Sequence, residues 1–450
     1  MTRHSFTLLM LICVSLTAIG QTSPGASPQP AFGSELPYTE VLTPPLPVAG
    51  VRTPLRLSSE SPRSNVISGS IAVSAAYDDN MLASPTHRVG DFSYLVFPSL
   101  EIVQTRERWS WDFGYSPGFT FNQRLNERNQ SAHDLHFLFG YRLSPHVNLQ
   151  LHDNFNKTTN LFSDFLSSSN PQPGLVGQPN TSLVVPLSNR TGNTSGLDLT
   201  YQFGIDSMVG ASGRYYFVNY GQLPGTSGPN YSLIDSRSWN AEGFYAHRFA
   251  HRHWLGVSYN FQRLNFDQGY RTDVQRTFLF YSVDVGARMN FSLWAGPERS
   301  TTFLPVLSIA SQVSAAHWHG AGGMSWTWQG PRNGFGVGYT RQTSDGGGLA
   351  QAVIMQQATA EYRRRMTQRW TAILGGSYAK NNFVGSTLVP ALRTWTGNAG
   401  FDFQLTDHWG TSLRYARNQQ EYVDAIPSLS ANRNRAWVSV SYSFSRPLGR

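Results

Sequence analysis

From Val66 onward apolar and polar residues alternate one by one, and the closing stretch shows the pattern cleanly. Val438, Val440, Tyr442 and Phe444 interleave with Ser439, Ser441 and Ser443. Leu197, Leu199, Tyr201 and Phe203 stand against Asp198, Thr200 and Gln202, and Leu255, Val257, Tyr259 and Phe261 against Gly256, Ser258, Asn260 and Gln262. A period of two places successive side chains on opposite faces of a strand, one apolar and one polar. Marking each run predicts strands over 66–77, 91–104, 109–122, 132–143, 147–157, 193–204, 208–219, 236–249, 253–264, 275–285, 290–297, 315–328, 333–342, 353–365, 369–380, 392–404, 408–419 and 434–446. Runs of this length suit a tilted membrane strand better than an ordinary soluble sheet.

The connections sort themselves by parity. Those after even strands are three or four residues, such as Ile205-Asp206-Ser207 and Leu405-Thr406-Asp407, whereas those after odd strands run from nine to thirty-five. An even strand number, short turns on one side and long loops on the other describe an all-β fold: a transmembrane antiparallel up-and-down barrel of about 18 strands, with periplasmic turns and extracellular loops. Trp109, Trp111, Trp254, Trp326, Trp328, Trp370 and Trp409 fall beside predicted short turns, which suits an interfacial girdle on the periplasmic side.

Composition narrows the class further. The chain has 450 residues, 13% aromatic but only 14% charged, where soluble domains carry about 25% charge. After the first twenty residues no apolar run reaches the roughly 18 residues of a membrane helix. Arg3 and His4 precede an uncharged, mostly apolar run from Phe6 to Ile19, and Ala18-Ile19-Gly20 supplies small residues for cleavage, so 1–20 reads as a secretory signal peptide. Residues 21–65 hold nine prolines and no sustained alternation, which predicts a disordered periplasmic leader before the barrel of 66–450. Cys13 is the only cysteine, so the mature chain forms no disulfide or thiolate site. Many of the bases behind the net charge of +8 sit in or beside short turns, at Arg106, Arg108, Arg252, Arg288, Arg332 and Arg363 to Arg365, where headgroups are nearer partners than nucleic acid; outer-membrane lipid and lipopolysaccharide are the expected partners of the barrel.

With the apolar parity toward lipid, the other parity lines the lumen and is rich in Ser, Thr, Asn, Gln and Gly. Its ionisable members are Glu101, Asp112, Asp198, Glu242, Asp284, Glu361 and Asp402 against Arg142, Arg214, Arg363 and Arg414, with His136, His152 and His319. A mixed lining predicts weak ion selectivity or a neutral, hydroxyl-rich solute such as a saccharide, because single-sign rings select one ion class; the alternative is cross-strand pairing that only stiffens the wall. The 158–192 connection is unusually apolar for an exposed loop. It is expected to fold inward as a constriction through Phe162, Asp164 and Phe165, to cover the mouth, or to meet a partner.

Chemistry is sparse. Gly210-Ala211-Ser212-Gly213 misses the nucleophile-elbow spacing, and neither HExxH nor an acidic calcium loop occurs. His317 and His319 share a strand face without acidic or thiol neighbours in sequence, and His247, His251 and His253 cluster around a short turn. Asp407 and His408, being adjacent, point to opposite faces. The expectation is a channel with no enzymatic activity, no cofactor and no metal.

Several segments resemble the porin-type outer-membrane β-barrels found beside exopolysaccharide machinery in Gram-negative bacteria. They are Tyr77-Asp78-Asp79-Asn80-Met81, Phe97-Pro98-Ser99-Leu100, Tyr141-Arg142-Leu143-Ser144-Pro145 with the following Leu149-Gln150-Leu151-His152-Asp153-Asn154-Phe155, and Tyr442-Ser443-Phe444. The resemblance covers residues 66 to 446. It implies a conduit in the cell outer membrane, inserted by the barrel-assembly machinery, for small polar solutes or for polysaccharide export beside secretion components. By position, the 158–192 loop is also similar to the inward-folded third loop of general porins. The alternative function is a non-conducting barrel, plugged by 158–192, that serves assembly or surface interaction. The chain departs from the pattern at its end, where Ser445-Arg446-Pro447-Leu448-Gly449-Arg450 follows the aromatic Phe444.

Overall fold

The computed structural model describes residues 65–448 except 85–86, 127–128, 159–188, 222–232, 268, 287, 304–313, 350, 385–390 and 423–429. The expected signal peptide and all but the last residue, Asn65, of the expected leader lie outside that range. Eighteen strands follow one another in chain order: β1 (Val66–Asp78), β2 (Asp91–Thr105), β3 (Trp109–Asn122), β4 (Gln130–Ser144), β5 (Val147–Thr158), β6 (Asn189–Gln202), β7 (Ser207–Gly221), β8 (Ser236–Phe249), β9 (His253–Phe266), β10 (Arg271–Val285), β11 (Met289–Phe303), β12 (Ser314–Gln329), β13 (Asn333–Ser344), β14 (Val353–Arg365), β15 (Trp370–Phe383), β16 (Leu392–Gln404), β17 (Trp409–Tyr422) and β18 (Ala431–Pro447). Each pairs antiparallel with its neighbours in sequence, and β1 pairs with β18, so a single sheet closes on itself without an edge.

The alternation does what the sequence implies. Ile71, Val73 and Tyr77 of β1, Tyr94 of β2, Leu197, Leu199 and Tyr201 of β6, and Leu255 and Val257 of β9 are exposed on the outer wall. Their strand neighbours Ser74, Ser258 and Asn260 are buried on the inner one. Aromatic pairs form cross-strand contacts at both ends of the apolar band. Trp370 meets Phe403 at 4.6 Å and Trp409 meets Tyr442 at 5.2 Å beside short turns, while Tyr378–Trp395 at 4.2 Å and Tyr215–Trp239 at 4.5 Å lie nearer the loop ends. A closed antiparallel barrel with an apolar exterior and aromatic girdles is the architecture of the bacterial outer membrane.

Two expectations are corrected. Trp254 belongs to the inner wall, where it packs with Met208, Ala246 and Phe280 instead of joining the girdle. Its register partner across β8 is Arg248, and both sit on the inward row. The connection between β9 and β10 spans only 267–270, well short of the long loop expected, because the ladder continues past the apolar alternation. Arg263 donates two hydrogen bonds to Asp273, at 2.9 and 3.0 Å, where the apolar pattern has faded.

The seam between first and last strands carries the Tyr77-Asp78-Asp79-Asn80 stretch. Asp78 accepts from Arg433 Nε at 2.6 Å, and Asp79 accepts from the backbone N and the Nδ2 of Asn434, both at 2.6 Å. Asn80 Nδ2 donates to the carbonyl of Asn432 at 3.0 Å and to that of Ser84 at 2.8 Å. The segment thus clasps the loop end of the closing seam.

Candidate functional site: the barrel lumen

Strand register places all ten charged residues expected at the pore on inward rows: Asp112, Arg142, Asp198, Arg214, Glu242, Asp284, Glu361, Arg363, Asp402 and Arg414. Several meet across strands. Arg414 Nη2 donates to Asp402 Oδ1 at 2.6 Å, Arg214 Nη2 to Asp198 Oδ1 at 3.4 Å, and Asn290 Nδ2 to Asp284 Oδ1 at 2.7 Å. Arg142 stands at the turn end of β4, exposed. Phe162, Asp164 and Phe165, expected to form the constriction, lie outside the described residues.

A different segment enters the lumen. Pairing between β12 and β13 stops at Gly322↔Arg341, so beyond that point β13 leaves the wall, still paired with β14 up to Ser344↔Val353. The freed hairpin end lies over the inner faces of β10 and β11. Arg276 of β10 is its anchor. The guanidinium donates from Nη2 to the carbonyl of Thr343 at 2.6 Å, from Nε to Glu298 Oε2 at 2.5 Å, and from Nη1 to Asn260 Oδ1 and Gln262 Oε1, both at 2.9 Å. Glu298 Oε1 in turn accepts from the Thr343 amide at 2.9 Å and meets His319 Nε2 at 2.7 Å. Both charged side chains are wholly buried, and such a pair holds only when the remaining donors and acceptors find partners, as they do here.

The hairpin tip then reaches the loop end of β8. Ser236 Oγ donates to Asp345 Oδ2 at 3.3 Å, and the Ile234 amide donates to the Gly348 carbonyl at 2.9 Å. Gly347 and Gly348 take φ of 59° and 101°, a turn that side chains resist. A Cβ on Gly348 would meet Leu233 at 2.8 Å. Beneath the tip, Tyr216, Val218, Ile234, Leu264, Phe266, Val274, Ala352 and Val384 form a buried apolar cluster inside the barrel. Nearer the short turns, Met208, Ala246, Trp254 and Phe280, with Phe244 and Trp294 packed against them, extend that apolar filling.

The lumen is therefore lopsided. Hairpin and aromatic side chains fill the half over β7 to β12, and a cavity of about 490 Å³ runs along β1 to β5 and β15 to β18. Its lining is mixed: serine hydroxyls at Ser70, Ser74, Ser99, Ser116, Ser412 and Ser439 stand beside apolar Phe97 and Trp437 and charged Asp134, His136 and Arg414. Ser70 and Ser99 bond at 2.6 Å across β1 and β2, and Ser412 and Ser439 at 2.5 Å across β17 and β18.

Sequence reading overlooked Arg276, Glu298, Thr343, Asp345 and the seam pair Asp78–Arg433. Gly296-Pro297 interrupts β11 just before Glu298, which is where the expected strand ended. Proline cannot donate to the ladder, and the pairs of Gly296 and Pro297 with β10 are missing between Arg276↔Glu298 and Leu279↔Ala295, the register itself being unchanged. Parity alone marks Arg276 as inward, and that was the one signal available. His319 Nε2 meets an acid from another strand, Glu298, that sequence proximity does not reveal.

No family model and no curated protein matches the sequence. Among solved structures, Pseudomonas aeruginosa OpdQ is similar over 84% of this chain and 98% of its own, at 14% identity and a TM-score of 0.43. Pseudomonas aeruginosa OccK2 (OpdF) covers 85% and 98% at 10% identity and a TM-score of 0.42. Pseudomonas aeruginosa OpdK, solved with vanillate, covers 84% and 99% at 11% identity and a TM-score of 0.39. These are likenesses of barrel architecture.

Proposed function

We propose that this protein is an outer-membrane channel through which small polar solutes diffuse, with no covalent step. The observation that carries the reading is the serine-containing, mixed-lined cavity of about 490 Å³ beside the hairpin-filled half of the lumen. In a wall of small polar side chains a solute exchanges hydrogen bonds with water and protein at little net cost. Neutral or weakly charged cargo suits the lining, because Asp402 with Arg414 and Asp198 with Arg214 compensate each other locally. The ten inward charges are on this reading pore-lining groups. Small solutes are a better fit than exported polysaccharide, since the β13–β14 hairpin occupies part of the cross-section.

A signal peptide at 1–20 and a leader at 21–65 agree with export to that membrane. Its lipid and lipopolysaccharide would contact the apolar outer wall, after insertion by the barrel-assembly machinery. Polysaccharide-secretion components as further partners rest on the sequence resemblance alone.

Planar-bilayer recording of the refolded mature chain, with reversal potential under a salt gradient, tests the proposal. Steady, weakly selective steps support it. A folded but silent barrel sinks it in favour of the second reading, a plugged barrel serving assembly or surface interaction, for which the buried Arg276–Glu298 lock on the hairpin is the favouring observation.

A further inference from the structure

Two arrangements of one design stand on the lumen face, on either side of the β4–β5 hairpin. In each, a histidine ring lies over a glycine of the adjacent strand, and an aspartate two residues nearer the short turn reaches that ring. His152 of β5 covers Gly196 of β6, where a Cβ would come within 2.2 Å of Cε1 and Nε2. The ring's Nδ1 lies 3.3 Å from Asp198 Oδ2. His136 of β4 covers Gly114 of β3, where a Cβ would come within 2.0 Å of Cε1, and its Nε2 lies 3.5 Å from Asp112 Oδ1.

The third member differs in sign. Across Gly196 stands Arg214, whose Nη2 is 3.4 Å from Asp198 Oδ1 and supplies a positive charge. Across Gly114 stands Glu101. Two carboxylates and an imidazole therefore converge, their donor atoms all within 4.8 Å of one another. Asp112 Oδ1 itself has no hydrogen-bond partner, on a side chain that is 31% exposed, as Asp198 Oδ2 has none in the sister arrangement. Among the described residues, no lysine or arginine pairs with either carboxylate.

Metal–oxygen and metal–nitrogen bonds of about 2.0–2.2 Å set tetrahedral donors roughly 3.3–3.6 Å apart. Asp112 Oδ1 and His136 Nε2 already stand at that separation. Glu101 is exposed, and its one hydrogen bond from Ser68 Oγ is long, 3.3 Å, so its carboxylate has room to close the remaining gap. His136 also lines the open cavity, which leaves water at the other coordination positions. An imidazole beside two carboxylates favours borderline transition cations over magnesium or calcium, which prefer all-oxygen sets.

We propose that Glu101, Asp112 and His136 bind a divalent transition cation of the zinc class on the lumen wall. The cation takes the place that Arg214 fills in the sister arrangement. Binding does not depend on whether the barrel conducts, so it is read on the folded protein in detergent.

The test is calorimetric titration of the untagged, refolded mature chain with Zn²⁺, together with electron paramagnetic resonance of bound Cu²⁺. Migration of the unheated protein in gels verifies folding of every variant. The expected result is one equivalent of Zn²⁺ and hyperfine coupling from a single imidazole nitrogen. His136→Ala and Asp112→Asn should weaken binding by at least about tenfold, as loss of a ligand must cost no less than loss of an outer-shell partner. Glu101→Arg, which copies the sister arrangement, should abolish it, and His152→Ala should leave it unchanged. The proposal is overturned if the folded wild type binds no Zn²⁺, if His136→Ala binds as well, if His152→Ala loses as much, or if equimolar Mg²⁺ displaces the ion.

Discussion

Asp78, the last residue of β1, accepts a hydrogen bond at 2.6 Å from Arg433, which lies 355 residues later on β18. Both side chains are 5% exposed, so the pair closes the barrel from inside a largely dry seam. Closure removes the two edges, at β1 and β18, that an open 18-stranded sheet would otherwise present to lipid, where each unpaired backbone group costs several kcal/mol.

Arg433→Met should leave the Asp78 carboxylate buried without its hydrogen-bonded cation, with Arg435 across the seam as the remaining positive neighbour, and removing one partner of such a pair costs up to about 3–5 kcal/mol. Urea unfolding of the refolded barrel checks this. The double variant Asp78→Asn with Arg433→Met should recover much of the loss, whereas equal instability of single and double variants would show that the pair does not couple.

Arg276→Met should release the β13–β14 hairpin from the wall. Thr343 would lose its anchor on the guanidinium, and Glu298 would be left buried with only His319 and the Thr343 amide. Faster hydrogen exchange confined to residues near 342–349 is the expected signature, with larger and noisier unitary conductance. Unchanged exchange there would mean that the apolar cluster under the tip suffices to hold it.

Arg414→Glu turns a compensated pair with Asp402 into two like charges beside the open cavity. Reversal potential under a salt gradient should shift toward cation preference. A shift toward anions, or none, would place the conducting path elsewhere in the lumen.

Gly256 lies where a Cβ would come within 2.3 Å of the Tyr245 carbonyl oxygen and 2.2 Å of the Phe280 ring. Gly256→Ala should therefore destabilise by about 1–3 kcal/mol, as overpacking does. Gly213, with nothing within 4 Å of the same position, should accept alanine with little change. Parallel denaturant titrations compare the two, and equal effects would deny the steric account.

The strands, their faces and the turn side were legible because each depends on a local repeat. Alternation at Val438 to Phe444 assigns an outer and an inner face without reference to any partner. Once the faces are known, Asp198, Arg214, Asp402 and Arg414 fall on the inner one. Trp254 escaped the same logic, since proximity to a short turn suggested the girdle while its own parity pointed inward. The short β9–β10 connection escaped too, because the ladder there is extended by Arg263 and Asp273 after apolar alternation has ended.

The sequence by itself determined an exported, cysteine-free barrel with an apolar wall and a polar lumen, since period-two patterning and composition are properties of single segments. Only the tertiary structure decided how that lumen is divided. The departure of β13 from the wall at Arg341, the buried lock of Arg276, Glu298 and Thr343, and the seam of Asp78 with Arg433 join residues of different strands. Their stability comes from shared burial and mutual hydrogen bonding, and neither exists until the sheet has closed.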